Sequence, residues 1–178
     1  MELLKQRARR LKQSEGLTHH QALERIAQSI KFGNWHQVTL AASETKISED
    51  AVRSGLIIGL DIKDASEANF DADGTFTEDP RLWHYCKGQL FQNYLSSTDD
   101  EGNTFGSMAP EAELLEEFEM SCDTILYRYC PSILPTDLDD VWNLSRKRCF
   151  FAPQYIWFRG QFIDVFDHFS DDGRMMVW

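Results

Sequence analysis

The sequence predicts an α+β fold: an N-terminal three-helix module packed on a body with two long helices and a small, mainly antiparallel sheet. Three observations carry this prediction. Residues 1–43 combine helix caps with apolar residues three and four apart; residues 79–95 and 110–129 repeat apolar residues at every fourth position; residues 154–166 hold two aromatic runs around Arg159-Gly160. The expected organisation is a basic module over 1–43 and an acidic α+β body over 44–178.

The first helix spans residues 2–13. Leu4, Ala8 and Leu11 share one face, Lys5, Arg9 and Lys12 another, and Ser14-Glu15-Gly16 ends it. Thr18 with Gln21 three residues on is a capping box for a second helix, whose apolar stripe is Ala22, Leu23, Ile26, Ala27 and Ile30. Gly33 is expected as its left-handed C-cap. Asn34, with Gln37 as reciprocal partner, caps a third short helix in which Trp35 and Val38 fill the space between the other two. Three short helices make a thin core, so the module is expected to dock on the body through Phe32 and Trp35.

The run from Lys12 to His36 resembles a short helical module at the N-terminus of many uncharacterised bacterial proteins, and a segment of some glyoxalase-related proteins. The likeness lies in Thr18 to Glu24, Ile26-Ala27 and Phe32 to Trp35, about a fifth of the chain. It implies a small helical fold and no catalytic residue.

In the body, Ser48–Arg53 reads as helical or irregular, and the Ile/Leu-rich residues 55–62 as a buried strand. Asn69, Asp71, Asp73 and Gly74 occupy positions 1, 3, 5 and 6 of an EF-hand frame. Position 12 is Pro80 instead of Glu, so a polar turn is expected and no metal. Asp79 as cap and Pro80 at the first helical position open a helix to Leu95, with Leu82, Cys86, Leu90 and Tyr94 inward. After a polar loop, Pro110 opens a helix expected to reach Tyr129, with Leu114, Phe118, Cys122, Ile125, Leu126 and Tyr129 as its inner stripe. Asp137–Asn143 reads as a short helix. Residues 154–158 and 161–166 read as strands, with Tyr155, Trp157, Phe162 and Phe166 as core or cross-strand pairs, and Arg174–Trp178 as an edge strand.

Charge is unevenly distributed. The chain has 178 residues and a net charge of −11, yet residues 1–36 hold seven Lys/Arg against three Glu, or +4, which leaves −15 for the other 142. From Gly88 to Tyr127 there is no Lys or Arg and nine acids. With 42% hydrophobic and 12% aromatic residues the chain is too apolar to remain disordered. Its longest apolar run, Gly55–Leu60, is far shorter than the roughly twenty residues of a membrane span. The N-terminal cations alternate with single leucines, unlike a signal peptide, so a cytoplasmic protein is expected. Four cysteines without a C-x-x-C pair read as reduced thiols.

No nucleophile elbow or phosphate-binding loop is present, and no cofactor is expected. Asp164, Asp167 and His168 are the one compact acid/His set, the basis of an alternative reading as a small enzyme. The favoured expectation is a non-enzymatic bacterial accessory or regulatory protein. Glu111, Glu113, Glu116, Glu117 and Glu119 would form an acidic surface for a basic protein partner. In composition the chain resembles the small acidic anti-defence proteins of plasmids and phages, which are mobile genetic elements. A second alternative is a DNA-associated regulator with Arg7, Arg9, Arg10 and Lys12 on phosphates.

Overall fold

The structure, a computed structural model, describes residues 1–65, 73–149 and 151–170. Contacts divide the chain into two units, Met1–Ile47 and Ser48–Trp178. The fold class is α+β as expected.

In the first unit, helix α1 (Glu2–Glu15) ends at Gly16, whose φ of 67° is the left-handed conformation that glycine adopts without steric cost. Helix α2 (His19–Ser29) opens on the predicted box: the Thr18 hydroxyl accepts the Gln21 N–H, and the Gln21 side chain accepts the Thr18 N–H. The helices pack against each other and bury Ala8, Ala22 and Ala27 completely, since small side chains let helix backbones approach closely.

Two details differ from the expected layout. The left-handed residue after α2 is Lys31, at φ 66°, and not Gly33. A Schellman motif fixes it there: Phe32 N–H donates to Ala27 O at 3.0 Å and Lys31 N–H to Gln28 O at 3.0 Å. Helix α3 is also longer than the short third helix expected. It runs unbroken from Trp35 to Ser54, merging the predicted third helix with the Ser48–Arg53 segment, and the division between the units falls inside it. Asn34 caps it by accepting the Gln37 N–H at 2.9 Å, while the Gln37 side chain accepts from Gly33.

The second unit is built on five antiparallel strands in the order β2-β3-β1-β4-β5. They are β1 (Leu56–Asp61), β2 (Phe76–Glu78), β3 (Thr124–Tyr129), β4 (Tyr155–Phe158) and β5 (Gln161–Asp164). Strand β1 is central, and its alternation sorts the core. Leu56, Ile58 and Leu60 pack towards helix α7 (Leu138–Arg146) with Val141 and Trp142, alongside Ala65 of the one-turn helix α4 (Ile62–Ala65). Ile57 faces the other way, into a cluster with Leu82, Leu90, Leu114, Phe118 and Trp157. That second cluster is supplied by helices α5 (Leu82–Ser96) and α6 (Glu111–Ser121). Covered on both faces, β1 reads as a continuous apolar run.

Helix α5 starts two residues later than predicted. Arg81 is its N-cap, because the buried Asp79 accepts the Arg81 N–H and holds Asp79-Pro80-Arg81 as a turn. The larger correction concerns residues 110–129. Helix α6 ends at Ser121, Cys122 turns extended, and the remainder is β3, paired with β1 in the register Ile58↔Tyr127. Alternation along β3 puts Tyr127 in one cluster and Leu126 in the other, which a helix could not do.

The hairpin is as predicted: Arg159 (φ 52°) and Gly160 (φ 81°) are both left-handed, as a two-residue type I′ turn requires. Phe166, however, is 68% exposed instead of in the core. Strand β5 stops at Asp164, whose carboxylate accepts the N–H groups of Phe166 (2.9 Å) and Asp167 (3.2 Å) and so starts helix α8 (Val165–Ser170). The expected edge strand Arg174–Trp178, and Asn69 and Asp71 of the EF-hand frame, lie outside the described residues.

Candidate functional site

On α6, Leu114 and Phe118 face the core, and a residue every 100° around the axis distributes the acids over the rest. Glu111, Glu113, Glu116, Glu117 and Glu119 are all exposed. Glu113, Glu116 and Glu117 precede Met120 by seven, four and three residues and so share its side of the helix, and Met120 is 77% exposed. Among the described residues Glu111, Glu113, Glu116 and Glu117 form no ion pair, whereas Glu119 pairs with Lys87 of α5. The field of the face extends inward: the Tyr94 hydroxyl is pushed above its ordinary value by desolvation and then by Glu117.

The Lys87–Glu119 pair stands at a cavity of about 680 Å³, within the roughly 300–1,000 Å³ typical of ligand sites. It lies where β2 and β3 meet α5 and α6. Ile125, Leu126 and Trp83 supply apolar lining, and Glu78, Asp79, Cys122 and Thr124 supply polar groups. The Trp83 indole is oriented by stacking on Phe118, at 6.0 Å between centroids and 13° between planes.

Within that lining, Asp79 is 1% exposed and both of its oxygens are engaged. Its Oδ2 accepts the Ser48 hydroxyl at 2.6 Å, and its Oδ1 accepts Arg81 Nε–H at 2.8 Å. Arg128 Nε is 3.6 Å from Oδ2, an ion-pair distance, and makes no hydrogen bond. Burial pushes the Asp79 carboxyl up, but the Ser48 and Arg81 hydrogen bonds outweigh it and hold it below the ordinary 3.8. Asp79 is therefore ionised at neutral pH and joins α3, the N-cap of α5 and β3. It was legible in the sequence only as a helix cap.

The other predicted residues are arranged as follows. Arg7, Arg9, Arg10 and Lys12 are all exposed on α1 but do not form one stripe. Arg9 and Lys12 lie about 60° apart on one side, and Arg7 and Arg10 about 60° apart on the other. Arg9 is 3.7 Å from Glu2, while Arg7, Arg10 and Lys12 have no ion pair among the described residues. Asp164 caps α8 and accepts Asn93 Nδ2–H at 2.7 Å, which makes it a structural carboxylate. Asp167 and His168 are exposed. Asp73 binds back to Thr75 N–H and pairs with Arg148.

Cys86 and Cys149 are buried, and desolvation pushes both thiols up to about 12, which leaves them protonated and inert. Cys130 is exposed and Cys122 partly so. Among the described residues no three His, Cys, Asp or Glu are grouped to hold a metal ion, and no helix is long and apolar enough to cross a membrane. Comparison with protein-family models, curated proteins and solved structures gave no match, so function has to be argued from these residues and their geometry.

Proposed function

We propose that this chain is a non-enzymatic binding protein whose α6 face recognises a basic protein partner. The observation that supports it is the set Glu113, Glu116 and Glu117: exposed, without counter-ions among the described residues, and on the side of α6 that carries the exposed Met120. Acids at the first turn, such as Glu111 and Glu113, also suit the helix dipole, but Glu116 and Glu117 lie beyond it and gain little there. A patch of one sign beside an exposed apolar residue gives a basic surface both steering and a contact that excludes water. The biological setting we attach to it is that of the small acidic accessory proteins of plasmids and phages.

The test is binding of a fluorescently labelled oligolysine peptide, followed by anisotropy at low salt. The triple reversal Glu113→Lys, Glu116→Lys, Glu117→Lys should weaken it at least about tenfold, and added salt should do the same. Unchanged affinity in the triple variant would end the reading.

The unpaired Arg7, Arg10 and Lys12 support a second reading, a DNA-associated regulator. It requires a labelled duplex to bind with a steep salt dependence that falls when Arg7, Arg9, Arg10 and Lys12 become Glu.

A further inference from the structure

We propose that the basic protein recognised by α6 is a second copy of this chain, which presents helix α1 to it. This names the partner in the α6 reading above and rests on that reading.

Charge supplies both sides of the contact. Residues 1–47 hold eight Lys/Arg against four Glu, or +4, and residues 48–178 sum to −15. On α1, Glu2 lies 3.7 Å from Arg9, and Glu15 pairs with Arg25. Arg7 and Arg10 are exposed and have no ion pair among the described residues. On α6, Glu113, Glu116 and Glu117 are likewise exposed and unpaired, while Lys87 is taken by Glu119.

Spacing matches the two helices. Leu3, 65% exposed, is followed four and seven residues later by Arg7 and Arg10, which share its side of α1. Met120 is preceded by Glu117, Glu116 and Glu113 at three, four and seven residues on α6. Each face is thus an exposed apolar residue with its charges towards one end only, the C-terminal end on α1 and the N-terminal end on α6. Seven residues cover about 10.5 Å on either helix, so an antiparallel contact sets Leu3 on Met120, Arg7 between Glu116 and Glu117, and Arg10 on Glu113. A parallel contact would set Leu3 on Glu113 and Arg10 on Met120. The antiparallel one also brings the positive end of the α1 dipole to the negative end of the α6 dipole.

Two chains of −11 repel at long range, which sets the conditions for the contact. At about 0.1 M salt the screening length is about 10 Å, so facing helices feel their own surface charges and little of the rest. At about 1 M it is about 3 Å, and attraction between exposed pairs is suppressed in turn. One helix-on-helix contact is small, in the class of weak and transient encounters, so association needs high protein concentration. Because α1 and α6 are different surfaces, copies either close into a pair with both contacts made or grow into longer assemblies.

The experiment is sedimentation equilibrium of the full chain in a reducing buffer, which keeps the exposed Cys130 from cross-linking copies. At about 0.1 M NaCl the average mass should rise with protein concentration above the 20.6 kDa of one chain, and at about 1 M it should return there. Two charge variants follow: Arg7→Glu with Arg10→Glu on α1, and the triple reversal Glu113→Lys, Glu116→Lys, Glu117→Lys on α6. Each alone sets like charges face to face and should weaken association about tenfold or more, even though the α6 variant carries less net charge. Mixed in equal amounts the two should associate again, because each helix then meets its opposite, which a misfolded variant would not do. A wild type that stays monomeric overturns the second copy as partner. So does association that survives either variant, or that fails to return in a mixture of variants with wild-type circular dichroism. Labelled oligolysine judges the α6 reading separately: binding lost in the α6 variant of a monomeric protein leaves that reading standing with another partner, and binding that ignores the variant ends it.

Discussion

At the scale of single residues the decisive group is Asp79. Breaking a buried ion pair from one side leaves the other charge uncompensated and costs on the order of 3–5 kcal/mol. Asp79→Asn, which keeps the shape and removes the charge, should therefore destabilise the protein by about 3 kcal/mol in urea denaturation at neutral pH; a loss below about 1 kcal/mol would show that Arg81 and Arg128 do not depend on it. The pH dependence has a definite sign. The folded carboxyl is held below 3.8, so its contribution is present above the unfolded value and lost as pH falls through the lower, folded one. The gap between wild type and Asp79→Asn should narrow below about pH 4. Gly160 is the second such residue. Its φ is 81°, and a Cβ there would be 2.7 Å from Arg53 O, so Gly160→Ala combines backbone strain with a backbone clash and should cost about 1–3 kcal/mol. The turn was legible from Arg159-Gly160, but the approach of Arg53 was not, because it joins residues distant in sequence. The same holds for Asp79 and Ser48, which are 31 positions apart.

Elements were legible where the local signal excluded alternatives. The Thr18–Gln21 capping box, the four-residue stripe of α5 and the short helix expected over Asp137–Asn143 each correspond to observed helices, the last opened by Asp137, whose side chain accepts the Asp140 N–H. Residues 122–129 were not, for a physical reason. Ile125 and Tyr129 are four apart, and a spacing of four returns a side chain to the same face in both a helix and a strand. The signal that separates them is composition: Thr124-Ile-Leu-Tyr-Arg-Tyr129 is rich in β-branched and aromatic residues, which favour strands. Tertiary demand settles the choice, since β1 needs a partner on each edge and β3 supplies one from Arg128 to Thr124. Nuclear Overhauser contacts linking Gly59 with Leu126 and Ile58 with Tyr127 should be observed, with slow amide exchange through β3. A ladder of i to i+3 contacts across 122–129 would restore the helix and dissolve the cavity with it.

At the scale of the whole molecule, net charge makes folding and binding respond to salt in opposite directions. A charge of −11 on 178 residues is a repulsive term that compaction increases. Surface ion pairs do little to offset it: Arg53 with Glu49 and Asp50, and Lys87 with Glu119, join mostly exposed side chains and contribute at most about 1 kcal/mol each. Raising NaCl from 0.1 to 1 M shortens the screening length from about 10 to about 3 Å, which suppresses repulsion between separated acids on α6 more than attraction in close pairs. The melting temperature should therefore rise, by about 2–4 °C for each kcal/mol recovered in a chain of this size. Affinity for a basic peptide should fall over the same range, because the unpaired charges that strain the free protein are the ones that attract the ligand. The α6 triple reversal should flatten both responses together. A melting temperature that falls with salt would mean that paired charges dominate and that the acids of α6 are not the source of the field.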